Sequence, residues 1–260
     1  MASILPAGGP VGVGAPPAGA GLRVTSIVDS LRTPPIAFAH RGGRAHADDN
    51  TLAAFQLALR LGATGLESDV WLTADGVPIL DHDGKVRTGL RSRPIGSMVR
   101  AALPAHVPAL EDLYAACGTG FELSVDIKDP AAAAAVAAVA RAAGGGAPER
   151  LWMCHPDWEL LATWRTDLDD VRLVNSTRMR EMRSGPERRA AQLSAAGIDT
   201  VNLHHEEWSG GLTTLFHRFG VLCFGWDAQH ERMVTNLLKK GIDGVFSDYV
   251  DRMVDALRLA

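Results

Sequence analysis

From Ile36 onward, short runs rich in β-branched and aromatic residues alternate with helical stretches. The runs are IAFAH (36–40), GLESDV (65–70), FELSVDIK (121–128), LWMCH (151–155), VRLVNS (171–176), DTVNLH (199–204), VLCFGW (221–226) and GVFSD (244–248). Each is followed by a helical or turn-plus-helix segment. One helix opens at Asn50 with Leu52, Phe55 and Leu59 on one face, ALEDLYAAC makes another, and Pro130 starts an Ala-rich helix as a first-turn proline. Parallel strands joined by right-handed helical crossovers either open into a doubly wound sheet or close into a barrel. Eight such units with no dinucleotide-type glycine fingerprint favour closure. The expected fold is therefore α/β, a (β/α)8 TIM barrel.

One segment breaks the alternation. VPILDHD (77–83) follows GLESDV across only a short turn at Ala74-Asp75-Gly76. A parallel neighbour needs a crossover of about a dozen residues or more, so this run must return antiparallel. A β-hairpin excursion after the second strand is expected, carrying His82 back beside Asp69 at the barrel mouth. The remainder of this excursion, Gly84 to Pro108, is short for a separate capping domain, and Lys85, Arg87, Arg91, Arg93 and Arg100 read as a solvated loop surface.

The barrel is expected over residues 31–260. Residues 1–30 are dominated by Gly, Ala and Pro, lack the charged start and unbroken apolar core of a secretory signal, and read as a flexible tail. No apolar run approaches about 18 residues, so no transmembrane segment is expected. With 26 Lys and Arg against 30 Asp and Glu, the net charge of −4 argues against a nucleic-acid partner. Cys117, Cys154 and Cys223 have neither disulfide nor zinc spacing and read as small apolar residues, in keeping with a reducing, cytoplasmic setting. No feature specifies an oligomeric state.

The residues that carry chemistry fall where such a barrel puts its active site, at the C-terminal ends of the strands. His40 ends the first strand run. Glu67 and Asp69 are two apart on the second and so share a face, with Leu66, Ser68 and Val70 turned to the helices. The same parity sets Asp126 with Lys128 on the third, with Val125 and Ile127 outward. Three carboxylates at one rim suit a hard divalent cation, Mg2+ or Ca2+; without one they would repel and hold protons. Two imidazoles, His40 and His82, can serve as acid and base across a phosphodiester, and Arg41 and Lys128 can hold phosphate oxygens.

Taken in order, these pieces resemble the glycerophosphodiester phosphodiesterase family of the phospholipase-C-like barrels. The resemblance rests on His40-Arg41-Gly42, Asn50-Thr51, Glu67-Ser68-Asp69-Val70, Asp75-Gly76, His82-Asp83, Asp126-Ile127-Lys128, Trp226 and the closing Gly241-Ile242-Asp243-Gly244-Val245-Phe246-Ser247-Asp248. It implies metal-dependent hydrolysis of a small glycerophosphodiester to sn-glycerol 3-phosphate and an alcohol. His40 and His82 would be the acid–base pair and Glu67, Asp69 and Asp126 the metal ligands. Arg41 and Lys128 would bind phosphate, and Trp226 would line the alcohol side. A lysophospholipase D or sphingomyelinase D activity is the alternative within the superfamily, and a non-catalytic metal-binding barrel the alternative outside catalysis.

The chain departs from the family pattern at three places. Asp48-Asp49-Asn50-Thr51 stands for Pro-Glu-Asn-Thr, Asp126 for the usual Glu, and Trp226-Asp227-Ala228-Gln229 for Trp-Thr-x-Asn. Asp49 is read as a cap for the helix that follows rather than a ligand. Glu122 lies two alternations before Asp126, about 13 Å down the strand, and is read as half of a structural ion pair. His155, His204 and His205 sit near strand ends and, each taken alone, read as incidental.

Overall fold

The computed structural model describes residues 28–88 and 91–259; of the tail expected over residues 1–30, residues 1–27 lie outside them. The elements in order are β1 (Ile36–Ala39), α1 (Leu52–Arg60), β2 (Gly65–Leu72), β3 (Pro78–Leu80), β4 (Lys85–Thr88), β5 (Arg91–Pro94), α2 (Leu110–Cys117), β6 (Glu122–Ile127) and α3 (Ala133–Ala143). They continue with β7 (Leu151–His155), α4 (Trp158–Trp164), β8 (Arg172–Ser176), α5 (Pro186–Ala195), β9 (Thr200–His204), α6 (Gly210–Arg218), β10 (Leu222–Trp226), α7 (Glu231–Lys239), β11 (Gly244–Ser247) and α8 (Val250–Arg258). Strands β1, β2 and β6 to β11 pair in parallel, and β1 pairs with both β2 and β11, so the sheet closes into the expected eight-stranded barrel.

Strand parity sorts the side chains. Leu66, Val70, Val125, Ile127, Leu173, Val201 and Leu203 face outward and pack under the helices. The inward faces build a lower layer of Ile36, Phe38, Trp152, Phe224 and Phe246. Phe38 stacks on Phe246 at 4.5 Å, and Trp152 meets Phe224 edge-on at 5.0 Å. That crowding is why Gly65 opens β2: a Cβ there would sit 2.5 Å from the Phe38 ring. Above this aromatic plug the inward positions include His40, Glu67, Asp69, Asp126, Ser176 and Asn202, with Trp226 among them.

The hairpin excursion is present. β3 runs antiparallel to β2, with Val70 opposite Leu80 and Leu72 opposite Pro78. The stretch beyond it is more structured than a solvated loop. β4 and β5 form a second hairpin, and Val86, Ile95, Met98, Leu103 and Val107 bury a small satellite core with Ile79 against Trp71. Lys85, Arg87, Arg91 and Arg93 remain on its exposed surface. Residues missed as strand here alternate basic with apolar or polar ones, a pattern that charge dominates when read along the chain.

The Ala-rich helix begins with a 3-10 turn at Pro130–Ala132, capped by Asp129. Cys154 and Cys223 are buried and Cys117 partly so, all three as free thiols. No helix among the described residues is long and apolar enough to cross a membrane.

Candidate active site

β1 ends in a tight turn that shapes the site. Arg41, Gly42 and Gly43 all take positive φ, and a Cβ on Gly42 would lie 2.9 Å from that of Ala54. Asn50, also left-handed, donates its backbone N–H to the Arg41 carbonyl and accepts the Ser68 hydroxyl through its side chain. The turn is thus clamped to the outer face of β2. Thr51, not Asp49, caps α1, its hydroxyl accepting the Ala54 N–H. Asp49 instead pairs with Arg41 at 3.3 Å, because the left-handed Asn50 turns the chain between it and the helix.

The parallel register aligns Ala39 with Ser247, so His40 and Asp248 emerge side by side. His40 Nδ1 lies 2.6 Å from Asp248 Oδ1, and Nε2 lies 3.8 Å from Glu67. Gln229 holds Asp248 in place by accepting its backbone N–H. Burial alone would lower the His40 pKa, but Glu67 and Asp248 outweigh it and raise it above the ordinary value. Asp248 is the main site residue that the reading of the sequence left without a role. Its signal was available: it ends the strand beside β1, level with His40.

Glu67, Asp69 and Asp126 converge as expected, each offering an oxygen within 4.8 Å of the others. Burial pushes the Glu67 carboxyl up to about 8, with Asp69 and Asp126 adding to the effect. Asp69 is likewise raised by burial, against the pull of Lys128. Asp69 Oδ2 is buried with no hydrogen-bond partner. Crowded oxygens that resist ionisation and one unpartnered carboxylate oxygen are what a hard divalent cation would relieve, so the donor set fits Mg2+ or Ca2+. Lys128 sits among these groups, with Nζ 2.8 Å from Asp69 and 3.1 Å from Asp126. Arg41 donates its backbone N–H to Glu67, and its Nε is buried without a hydrogen bond, 3.8 Å from Asp69 Oδ2.

The excursion delivers His82. Asp81 donates its N–H to the Asp69 carbonyl, and its carboxylate accepts the Gly84 N–H at 2.7 Å, closing the turn around His82. His82 Nδ1 pairs with Asp83 at 2.7 Å. His40, Arg41, Glu67, Asp69, His82, Asp126, Lys128 and Trp226 all line one cavity of about 410 Å3, joined by Ser176, Asn202, Asp227, Gln229 and Phe246. Every side chain expected from the sequence therefore meets there. Glu122 stays below, paired with Arg32 and accepting the Trp152 indole N–H at 2.6 Å. His204 and His205 are not isolated: they gather with Asp227 at the ends of β9 and β10.

The chain is similar to several known proteins. Fifty residues are 56% identical to rat glycerophosphodiester phosphodiesterase 1, spanning 19% of this chain and 15% of that protein, so only a small part of the curated relative is matched. A glycerophosphodiester phosphodiesterase structure from Thermotoga maritima superposes with a TM-score of 0.73 at 22% identity, covering 85% of this chain and 97% of that one. An Oleispira antarctica phosphodiesterase, solved in complex with the product sn-glycerol-3-phosphate, gives 0.75 at 21% identity over 86% of this chain and 97% of its own. Both likenesses show the fold. The model of the glycerophosphoryl diester phosphodiesterase family matches residues 40–252, from the first histidine of the site to beyond the aspartate that pairs with it. The chain belongs to the glycerophosphoryl diester phosphodiesterase family.

Proposed function

We propose that this chain hydrolyses small glycerophosphodiesters to sn-glycerol 3-phosphate and an alcohol, with the aid of a divalent cation. The observation that carries the reading is the cavity that gathers two imidazoles, three carboxylates, Arg41 and Lys128. Apart from Trp226 and Phe246 its lining is polar or charged, which suits a small polar diester better than an acyl chain. The sparse free thiols keep a cytoplasmic setting as part of this reading.

His40 serves as the acid. Asp248 holds the Nδ1 proton, leaving Nε2 to face the cavity, and this pairing supports the imidazolium even when Glu67 is engaged by a cation. His82, with Nδ1 tied to Asp83, presents Nε2 as the base that takes the proton of a glycerol hydroxyl as its oxygen attacks phosphorus. The bond from phosphorus to the leaving alcohol breaks as His40 protonates that oxygen. Water then opens the resulting cyclic phosphate with the two imidazoles exchanging roles. Arg41 and Lys128 hold the phosphoryl oxygens and offset their charge. Glu67, Asp69 and Asp126 would hold the cation, which supplies charge stabilisation at the phosphoryl group when bound.

The test is release of glycerol 3-phosphate from glycerophosphocholine by chelated protein, with Mg2+, Ca2+ or Mn2+ restored in turn. Metal-dependent release supports the reading. Silence with every cation, alongside turnover of lysophospholipid or sphingomyelin, would replace it with the lipid-directed alternative.

A further inference from the structure

A second cluster at the barrel mouth differs in chemistry from the carboxylate site. The register of β9 and β10 sets His204 beside Trp226, and the two rings meet edge-on at 4.8 Å. Directly after Trp226, Asp227 adopts a φ of 65°, a left-handed conformation that costs Asp less than most residues. This turn carries its carboxylate back to the strand end, where Oδ2 lies 3.2 Å from His204 Nε2. Gln229 Nε2 donates to the other oxygen, Oδ1, at 2.9 Å and so fixes which oxygen faces the histidine. The His205 ring lies 4.5 Å from that of His204. One ligand atom from each of His204, His205 and Asp227 lies within 4.8 Å of the others.

The geometry points to a second metal site, formed by His204, His205 and Asp227, that takes a borderline transition-metal ion such as Zn2+ or Co2+. Two imidazole nitrogens and one carboxylate suit such ions, whereas the all-oxygen set of Glu67, Asp69 and Asp126 suits Mg2+ or Ca2+. The surroundings of His204 are consistent with ligation. In the metal-free protein His204 Nδ1 accepts the Glu206 backbone N–H at 3.4 Å, so the ring proton sits on Nε2 toward Asp227; metal binding at Nε2 moves that proton to Nδ1, where the Glu206 carboxylate, 3.6 Å away, offsets its charge. Three protein ligands leave positions open for water or a substrate oxygen. Asp227 and Trp226 line the cavity, so an ion held here would border it beside the Trp226 ring.

The cluster of His217, Cys223 and Asp243 is more deeply buried, and its carboxylate is tied into the fold by more hydrogen bonds. Both Asp243 oxygens already accept hydrogen bonds, Oδ1 from Ser30, Leu31 and Arg32 and Oδ2 from His217 and Cys223.

The proposal stands apart from the phosphodiesterase reading, and its test reads metal binding directly. The full chain in excess Mg2+ would be titrated with Co2+, followed by calorimetry and by the visible absorption of nitrogen-ligated Co2+. One equivalent is expected to bind with that spectrum. Its affinity should fall at least about tenfold in His205→Gln and in Asp227→Asn, and persist in Glu67→Gln. Asp227→Asn keeps a side chain that tolerates the left-handed turn, and unchanged thermal midpoints would show that both variants fold. No Co2+ binding in excess Mg2+, equal binding in the parent and the two variants, or loss only in Glu67→Gln would each overturn the site.

Discussion

At the residue scale, His40 shows how position becomes chemistry. Its pKa is raised despite burial because Glu67 and Asp248 face its two nitrogens. If His40 is the acid, turnover is present while it holds its proton and is lost as pH rises through that raised value. Replacing Asp248 by Asn removes one source of the elevation, so the alkaline limb of the kcat profile should move to lower pH. A profile unchanged in Asp248→Asn would remove His40 from the acid role. His40→Ala or His82→Ala should lower kcat by about 10²–10⁴-fold with little change in the thermal midpoint, as measured by steady-state kinetics and calorimetry. The histidines and the Glu-x-Asp pair were legible because residue type and spacing alone mark them. Asp248 was quoted only as part of a closing motif, since its partner is more than two hundred residues away in sequence and is supplied by barrel closure.

At the element scale, the hairpin after β2 decides where the second imidazole goes. A short turn at Asp75-Gly76 was enough to foresee the reversal, because parallel pairing cannot be reached in so few residues. What holds His82 is a second turn, ending at Gly84 with a φ of 65°. A Cβ at Gly84 would lie 2.4 Å from the Trp71 indole. Gly84→Ala should therefore cost at least about 1–2 kcal/mol locally and shift the turn. We expect kcat to fall about tenfold or more while the barrel melts nearly as before, a split visible by comparing kinetics with a thermal scan. An unchanged kcat would mean that the turn does not set His82. The β4–β5 hairpin escaped the sequence because its exposed cations obscure the buried Val86 and Ile95.

For the whole molecule, two buried carboxylates link stability to assembly. Asp243 is fully buried and joins the segment around Ser30–Arg32 to β10 and α6 through its five hydrogen bonds. Asp243→Ala leaves those donors without an acceptor and should cost about 3–5 kcal/mol, lowering the thermal midpoint by roughly 10 °C. A loss below about 1 kcal/mol would show that water replaces the carboxylate. Glu67 acts through pH. In the metal-free protein its folded pKa of about 8 exceeds the ordinary 4.5, so the folded state keeps a proton that the unfolded chain has released. Stability should then fall as pH rises through that window, and saturating Mg2+ or Ca2+ should reverse the trend, most strongly near pH 8. Urea melts at several pH values, with chelator and with metal, would read this directly; a flat profile in chelator would refute it.

Periodicity within single segments carries the strand–helix alternation and the inward parity of Glu67, Asp69, Asp126 and Lys128, and the eightfold recurrence of that alternation carries the barrel. Tertiary structure decided the pairings between segments. It set Asp248 against His40, Gln229 behind Asp248, Asp49 on Arg41 instead of the helix end, and His204 and His205 together with Asp227. Each depends on register around a closed barrel or on a left-handed turn, and neither leaves a periodic trace in the chain.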